Sequence, residues 1–287
     1  MSQKKLTRRH PDWLKVKIPG GKKYVEMKKL LRNSHLHTIC EEAKCPNLAE
    51  CFGCGTSVFL ILGDICSRDC GYCNVTHGTP RQLNPDEPML VAQSVVDLEL
   101  KYAVITSVTR DDLDDGGAAV FVETIKDIRK LAPKCGVEVL IPDFLGSIDA
   151  LRTVVDEKPD VINHNIEVVK DLFSSIRPQG NYELSLEVLE NCKKLDDTIH
   201  LKSGLMVGLG ESWEQIVKTL KDLRSVGVEF VTIGQYLQPS KNHVPVCKYY
   251  TPEEFEKLKK IALNLGFSHV ESGPLVRSSY HAQDALR

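Results

Sequence analysis

The chain has 287 residues, enough for one large domain or two ordinary ones, and at this length roughly 75% of the extended surface can be buried. Its 42% hydrophobic and 26% charged composition is that of a soluble globular protein, and a formal net charge of -2 offers polyanions no overall attraction, which argues against nucleic acid as a partner. No unbroken apolar run is longer than Val58 to Leu62, far short of the roughly 20 residues that cross a bilayer, and no apolar stretch follows the basic start, so no membrane partner and a cytoplasmic location are expected.

Along the chain, Met1 to Val25 carries eight Lys or Arg against a single acid, Asp12, and reads as an extended basic arm. A short helix is expected over Met27 to Leu31, ahead of Cys40, Cys45 and Cys51, whose segment is broken by Pro46 and Gly53. From there β-branched runs alternate with amphipathic stretches, the pattern of βα units on a parallel sheet. Strands are predicted at Ser57 to Leu62, Ala103 to Val108, Val137 to Ile141, Val161 to Asn165, Leu201 to Val207 and Phe230 to Gly234. Helices are predicted at Leu90 to Leu100, Ala118 to Leu131, Ile148 to Glu157, Leu184 to Leu195, Trp213 to Val226 and Pro252 to Leu265. In Trp213 to Val226 the positions Ile216, Val217, Leu220, Leu223 and Val226 form one buried stripe, and Gly227 supplies the stop. Six units are two short of a closed (β/α)8 barrel. The expected α/β fold is therefore a partial (β/α)6 TIM-type barrel over residues 57–270, with active groups at the carboxyl ends of the strands. A doubly wound sheet has the same periodicity. An N-terminal segment, 1–56, and a C-terminal one, 271–287, flank the barrel.

Seven of the ten cysteines lie between Cys40 and Cys73, and in a reducing compartment such crowding points to metal or catalytic thiols before disulfides. The first strand runs straight into Cys66-Ser67-Arg68-Asp69-Cys70-Gly71-Tyr72-Cys73, a C-x3-C-x2-C loop. Three thiolates can hold three irons of a [4Fe-4S] cube and leave the fourth without a protein ligand, whereas an electron carrier normally adds a fourth cysteine. A zinc site completed by His77 is the blander alternative. Cys40, Cys45 and Cys51 form a second group, C-x4-C-x5-C; three thiols cannot all pair with one another, so a second metal centre or a structural zinc knuckle is implied. Cys54, three residues after Cys51, offers a further ligand. Cys135, Cys192 and Cys247 stand alone and are expected to be ordinary buried thiols.

The C-x3-C-x2-C loop at the top of the first strand resembles the radical S-adenosylmethionine superfamily. With Cys40 to Cys51 and the terminal Arg277-Ser278-Ser279-Tyr280-His281-Ala282, the chain resembles the lipoyl synthase family along nearly its whole length. Arg110 to Leu113, Asp115 to Gly117, Ile141 to Phe144, Asn163 to Glu167, Lys202 to Met206 and Gly234 to Ser240 also match that family's pattern. The resemblance implies two [4Fe-4S] clusters and S-adenosyl-L-methionine as cofactors. The cluster on Cys66, Cys70 and Cys73 would cleave the nucleotide to a 5'-deoxyadenosyl radical. The auxiliary cluster on Cys40, Cys45 and Cys51, its fourth iron held by Ser279, would donate sulfur. A hydroxyl oxygen is a harder ligand for iron than a thiolate and so a natural point of release. Asn165, Glu167 and Arg177 carry over as nucleotide contacts. Ser107 with Asp115 to Gly117, and Gly208 to Glu211, add polar groups at strand ends, with Gly210 serving equally as a loop glycine.

The implied reaction inserts two sulfur atoms at C6 and C8 of a protein-bound octanoyl-lysyl group. Those carbons have no neighbouring carbonyl to acidify their hydrogens, so general acid and base groups have nothing to work on and radical chemistry is required. The implied partners are octanoylated lipoyl domains of 2-oxoacid dehydrogenase E2 subunits or the glycine cleavage H protein, and a low-potential electron donor. Arg8, Arg9, Lys15 and Lys17 of the basic arm would attract an acidic carrier. The competing readings are a two-cluster electron carrier and a radical sulfur or methylthio transferase acting on tRNA, which would be expected to carry an added basic domain.

Overall fold

The computed structural model describes residues 10–15, 20, 25, 28–29, 32, 36–42, 45–47, 58–280 and 282–286. The expected helix at Met27 to Leu31 lies largely outside the described residues, as do Arg8, Arg9 and Lys17; Lys15 pairs with Asp12 at 2.6 Å.

All six predicted strands form. They are β2 (Val58–Ile61), β5 (Tyr102–Ser107), β6 (Gly136–Leu140), β7 (Val161–Asn163), β8 (His200–Val207) and β9 (Phe230–Gln235). β2 and β5 read as nearly continuous apolar or β-branched runs because both faces are covered, while β6 and β8 also bury polar groups, Glu138 paired with Lys202. Their neighbours in the sheet are parallel, in the order β2-β5-β6-β7-β8-β9. Two further strands extend it. β1 (His37–Thr38) pairs antiparallel with β2, and β10 (His269–Gly273) pairs parallel with β9, so the sheet runs past residue 270. The sequence of β10, His-Val-Glu-Ser-Gly, has only one strongly apolar residue, and its burial pattern shows a single buried position, Val270. That leaves no run and no alternation to detect.

The helices Glu87–Asp97, Ala118–Leu131, Ile148–Asp156, Tyr182–Leu195, Trp213–Ser225 and Pro252–Asn264 fill the crossovers. Their starts are written locally. Ser212 and Thr251 form capping boxes with Gln215 and Glu254, and Asn181 and Ser147 accept from the third residue of their helices. Residues of five of the six central strands, with His164 and Asn165 just past β7, line one cavity, so the open sheet is curled around it as a partial barrel. Among the described residues no helix is long and apolar enough to cross a membrane.

Candidate active site

The cavity, about 490 Å³, opens at the carboxyl ends of the strands and is within the usual size of small-molecule sites. β2 ends in the left-handed Leu62 and Gly63, which turn the chain into the cysteine loop. Glu87, at the start of its helix, accepts from the Leu62 amide at 2.7 Å and holds that turn. The loop itself is bracketed by a small parallel pair, β3 (Ile65–Cys66) with β4 (Thr76–His77). It is pinned from several sides: Gly71 donates to the Ile176 carbonyl at 2.8 Å and accepts from the Val244 amide at 3.0 Å. His243 Nε2 donates to the Cys73 carbonyl at 2.9 Å, since a carbonyl can only accept, and its Nδ1 then accepts from Ser240.

Arg68, between the first two cysteines, is 6% exposed and acts as the main brace. It donates to both carboxylate oxygens of Asp111, at 2.7 and 2.8 Å, and to both of Asp143, at 2.6 and 2.8 Å. Burial opposes the charge of Asp143, but the bonded guanidinium outweighs it and holds the carboxyl below its ordinary range. The Arg110 to Leu113 and Ile141 to Phe144 stretches thus reach the site by clamping this loop.

Cys66, Cys70 and Cys73 all line the cavity, with Cys66 near enough to raise the pKa of Cys70, and both near enough to raise that of Cys73. Burial pushes Cys73 up to about 12 and raises Cys70 as well, so these thiols stay protonated until a cation is present to ionise them. Among the described residues no three Cys, His, Asp or Glu side chains are gathered tightly enough to hold a single metal ion. A cube of four irons, which gives each cysteine its own metal, takes a wider set.

Cys40 and Cys45 line the same cavity, with Cys45 N bonded to the Cys40 carbonyl at 3.0 Å. Cys51 and Cys54 lie outside the described residues. From the other end of the chain, Ser278 and Ser279 reach this wall, and the Arg277 guanidinium stands close enough to Cys45 to work against the effect of burial on its thiol. Gly234 permits that approach, because a Cβ there would sit 2.2 Å from the Val276 carbonyl oxygen.

Asn165, Glu167 and Arg177 are brought together beyond the radical loop. Asn165 Nδ2 donates to Glu167 at 3.0 Å, and Arg177 Nη1 donates to the Asn165 and Ile166 carbonyls. Burial raises the Glu167 carboxyl, only partly offset by Arg177 and Asn165. Four buried polar atoms of the cavity wall have no protein partner among the described residues: Asn165 Oδ1, Arg177 Nε, Ser107 Oγ and His164 Nε2. Each would lose its hydration for nothing unless a polar ligand fills the space. A nearby cradle exists as well, since a Cβ on Gly204 would lie 2.7 Å from Asn165 Oδ1. Acceptors, a cationic donor and a carboxylate together suit a molecule with amino, carboxylate and sugar hydroxyl groups, such as S-adenosylmethionine.

Other expected strand-end groups serve the fold instead. Asp115 caps the helix Ala118–Leu131 by accepting from Gly117 and Ala119, both at 2.8 Å, and Glu211 accepts from Gly208 and Leu209; neither lines the cavity. Cys135 and Cys192 are buried as expected, but Cys247 is exposed, because it lies in the loop that passes over Gly208. Sequence reasoning missed Arg68 and His164, whose roles come from contacts 43 to 75 and 23 residues away.

Comparison with known proteins agrees with this geometry. Residues 60–223 match the radical SAM superfamily, and residues 1–45 match the N-terminal domain of lipoyl synthase of the radical SAM family. The chain is 55% identical over 274 residues to the lipoyl synthase of Rubrobacter xylanophilus, covering 96% of this chain and 85% of that one. It is 51% identical over 287 residues to that of Halalkalibacterium halodurans, covering 100% and 95%. Among solved structures it is similar to HydG, a hydrogenase maturase, with 13% identity and a TM-score of 0.57 over 92% of this chain and 66% of that one. Streptococcus suis SuiB bound to S-adenosylmethionine gives 12% identity and a TM-score of 0.57 over 84% and 57%. At these identities the structural likeness is one of fold.

Proposed function

This chain belongs to the lipoyl synthase family of the radical SAM superfamily, and from that premise we propose how its residues divide the work of inserting two sulfur atoms, at C6 and C8, into a protein-bound octanoyl-lysyl group. Two [4Fe-4S] clusters and S-adenosylmethionine, when bound, supply one-electron chemistry able to remove hydrogen from unactivated carbon, and the sulfide that replaces it. Cys66, Cys70 and Cys73 hold the first cluster. Cys40, Cys45 and Cys51, with Ser279, hold the second. Arg177 meets the nucleotide's carboxylate, while Asn165 and Glu167 meet its amino and hydroxyl donors. The curled sheet and the loop from Tyr236 to Val244 exclude water, Tyr236 being 2% exposed with its hydroxyl bonded to the Val244 carbonyl.

One observation carries this reading: Cys66, Cys70 and Cys73, Cys40 and Cys45 of the second group, the terminal serines and four unsatisfied polar atoms line a single cavity. Hydrogen removal and sulfur delivery must act on the same carbon, which needs both centres within reach of one substrate chain. Crowded thiols of this kind belong in a reducing compartment, the cytoplasm. Lipoyl-domain proteins present the substrate; octanoylated E2 lipoyl domains and the glycine cleavage H protein are the proposed carriers, with a low-potential donor supplying electrons.

The test is anaerobic reconstitution with iron and sulfide, then incubation with S-adenosylmethionine, a strong reductant and an octanoylated lipoyl-domain peptide. A dithiolated peptide with two 5'-deoxyadenosines per product is expected. Release of 5'-deoxyadenosine with no change in peptide mass would refute the substrate, and absence of both from iron-replete protein would refute the reading as a whole.

A further inference from the structure

Asn47 lies two residues after Cys45 and is 3% exposed. Its backbone N–H stands close enough to the Cys45 thiol to oppose the effect of burial on it, while its side-chain Nδ2 donates to the Leu275 carbonyl at 2.6 Å, across 228 residues of chain. Leu275 stands three residues before Ser278. The segment it belongs to leaves β10 at Gly273 through a tight turn, Val276 N to Gly273 O at 3.1 Å, and continues through a second, Tyr280 N to Arg277 O at 2.9 Å. One buried residue therefore touches both ends of the chain where they meet at the cavity wall.

We infer that Asn47 is a positioning residue that latches the C-terminal Ser278–Ser279 segment onto the Cys40–Cys45 loop and so assembles the donor half of the cavity. The inference rests on the proposed division of labour between the two cysteine groups. The chemistry favours an amide over its close relatives. A carbonyl can only accept, so the latch needs an N–H donor, and a carboxylate of the same shape would set oxygen against oxygen. Among the described residues the arm is also tied by β1, which joins the sheet through two residues, by Asn74 Nδ2, which reaches the Glu42 carbonyl at 2.7 Å, and by the packing of Leu36 and Cys40, none of which reaches the terminal segment. Removing the Asn47 bond should free the terminal segment without disturbing the radical loop, which is held by Arg68, His243 and the strand ends.

The experiment compares reconstituted Asn47→Asp and Asn47→Gln with the parent chain by iron content, 5'-deoxyadenosine release, sulfur insertion and hydrogen exchange. Asn47→Asp should lose one cluster's iron, keep nucleotide cleavage within about twofold, and insert sulfur at least about tenfold less often per 5'-deoxyadenosine. Exchange should quicken in residues 273–280 and stay unchanged in residues 64–78. Asn47→Gln, which retains the donor, should recover much of the iron and the insertion ratio. The inference is overturned if Asn47→Asp keeps full iron and ratio, if exchange in 273–280 is unaltered, or if cleavage and insertion fall in proportion, as general destabilisation would produce. Failure of the parent chain to dithiolate the peptide would instead refute the proposed function, while the exchange comparison would still test the latch.

Discussion

The Cys66–Cys73 loop and the Cys40–Cys45 loop share one cavity but are held differently. The Cys66–Cys73 loop is fixed by Arg68 to two carboxylates, by a two-residue parallel pair, and by backbone bonds to Thr109, Ile176 and Val244. Among the described residues the Cys40–Cys45 loop is tied to the rest of the chain by the two-residue pairing of β1, by two asparagine side chains and by the packing of Leu36 and Cys40 in the core. On the proposed division of labour, a centre that must survive each turnover is thus built into the ends of the sheet, while one that gives up its sulfur is carried where two chain ends meet. Lightly tied elements open at lower free energy than the core, and replacing a spent cluster requires such opening.

The largest way to break this contrast is at the rigid centre. Cys66→Ala should lose that cluster's iron and abolish 5'-deoxyadenosine release, while the thermal midpoint moves little, because the loop is braced by Arg68 rather than by metal alone. Retention of nucleotide cleavage, read by chromatography, would mean that the radical centre lies elsewhere.

Next is the brace. Arg68→Leu strands the buried Asp143 carboxylate and should destabilise the fold by about 3–5 kcal/mol in urea unfolding. The double variant Arg68→Leu with Asp143→Leu should recover a large part of that. Because Asp143 is held below its ordinary value, the folded chain takes up this proton less readily than the unfolded one. The clamp's contribution is present above about pH 4 and disappears as the pH falls through the lowered value. Stability of the parent chain should therefore fall more steeply in acid than that of the double variant; parallel pH profiles would count against the clamp.

Gly234→Ala sharpens the contrast from the other side. Its Cβ would meet the Val276 carbonyl at 2.2 Å, so the terminal segment must move. Sulfur insertion should fall far more than nucleotide cleavage. Equal losses in the two assays would show that the segment also supports the radical half.

The same contrast governs what could be read without coordinates. The six central strands and their helices follow from apolar runs and capping residues within ten or so positions of one another, so they were legible almost to their ends. β10 was not, since its strand character comes from pairing with β9 rather than from Val270 alone. The cysteine spacings pointed to two centres; Asn165 and Glu167 lie just past β7, and Arg177, at the end of the helix Phe173–Ile176, is brought beside them. Arg68, Asn47 and His164 were silent, because what they do is set by partners that only the folded chain brings near. Asp115 and Glu211 misled for the opposite reason: carboxylates beside glycines suit a ligand and a helix cap equally well.

The smallest expected effect concerns His164. Its Nδ1 lies 2.9 Å from the Ile141 carbonyl, which can only accept, so that nitrogen carries the proton and Nε2 presents a lone pair to the cavity. Burial, reinforced by the Arg177 charge, brings its pKa down to about 4, and the ring stays neutral from pH 6 to 8. A neutral acceptor beside Asn165 suits a hydroxyl of the nucleotide's sugar better than it suits the octanoyl chain, which offers no donor. His164→Leu should therefore weaken equilibrium binding of S-adenosylhomocysteine by about tenfold, the loss expected for one buried hydrogen bond. The difference should not vary between pH 6 and 8. Unchanged affinity would place the Nε2 lone pair on the side of the cavity that receives the lysyl amide, and the same variant should then raise the KM for the octanoylated peptide instead.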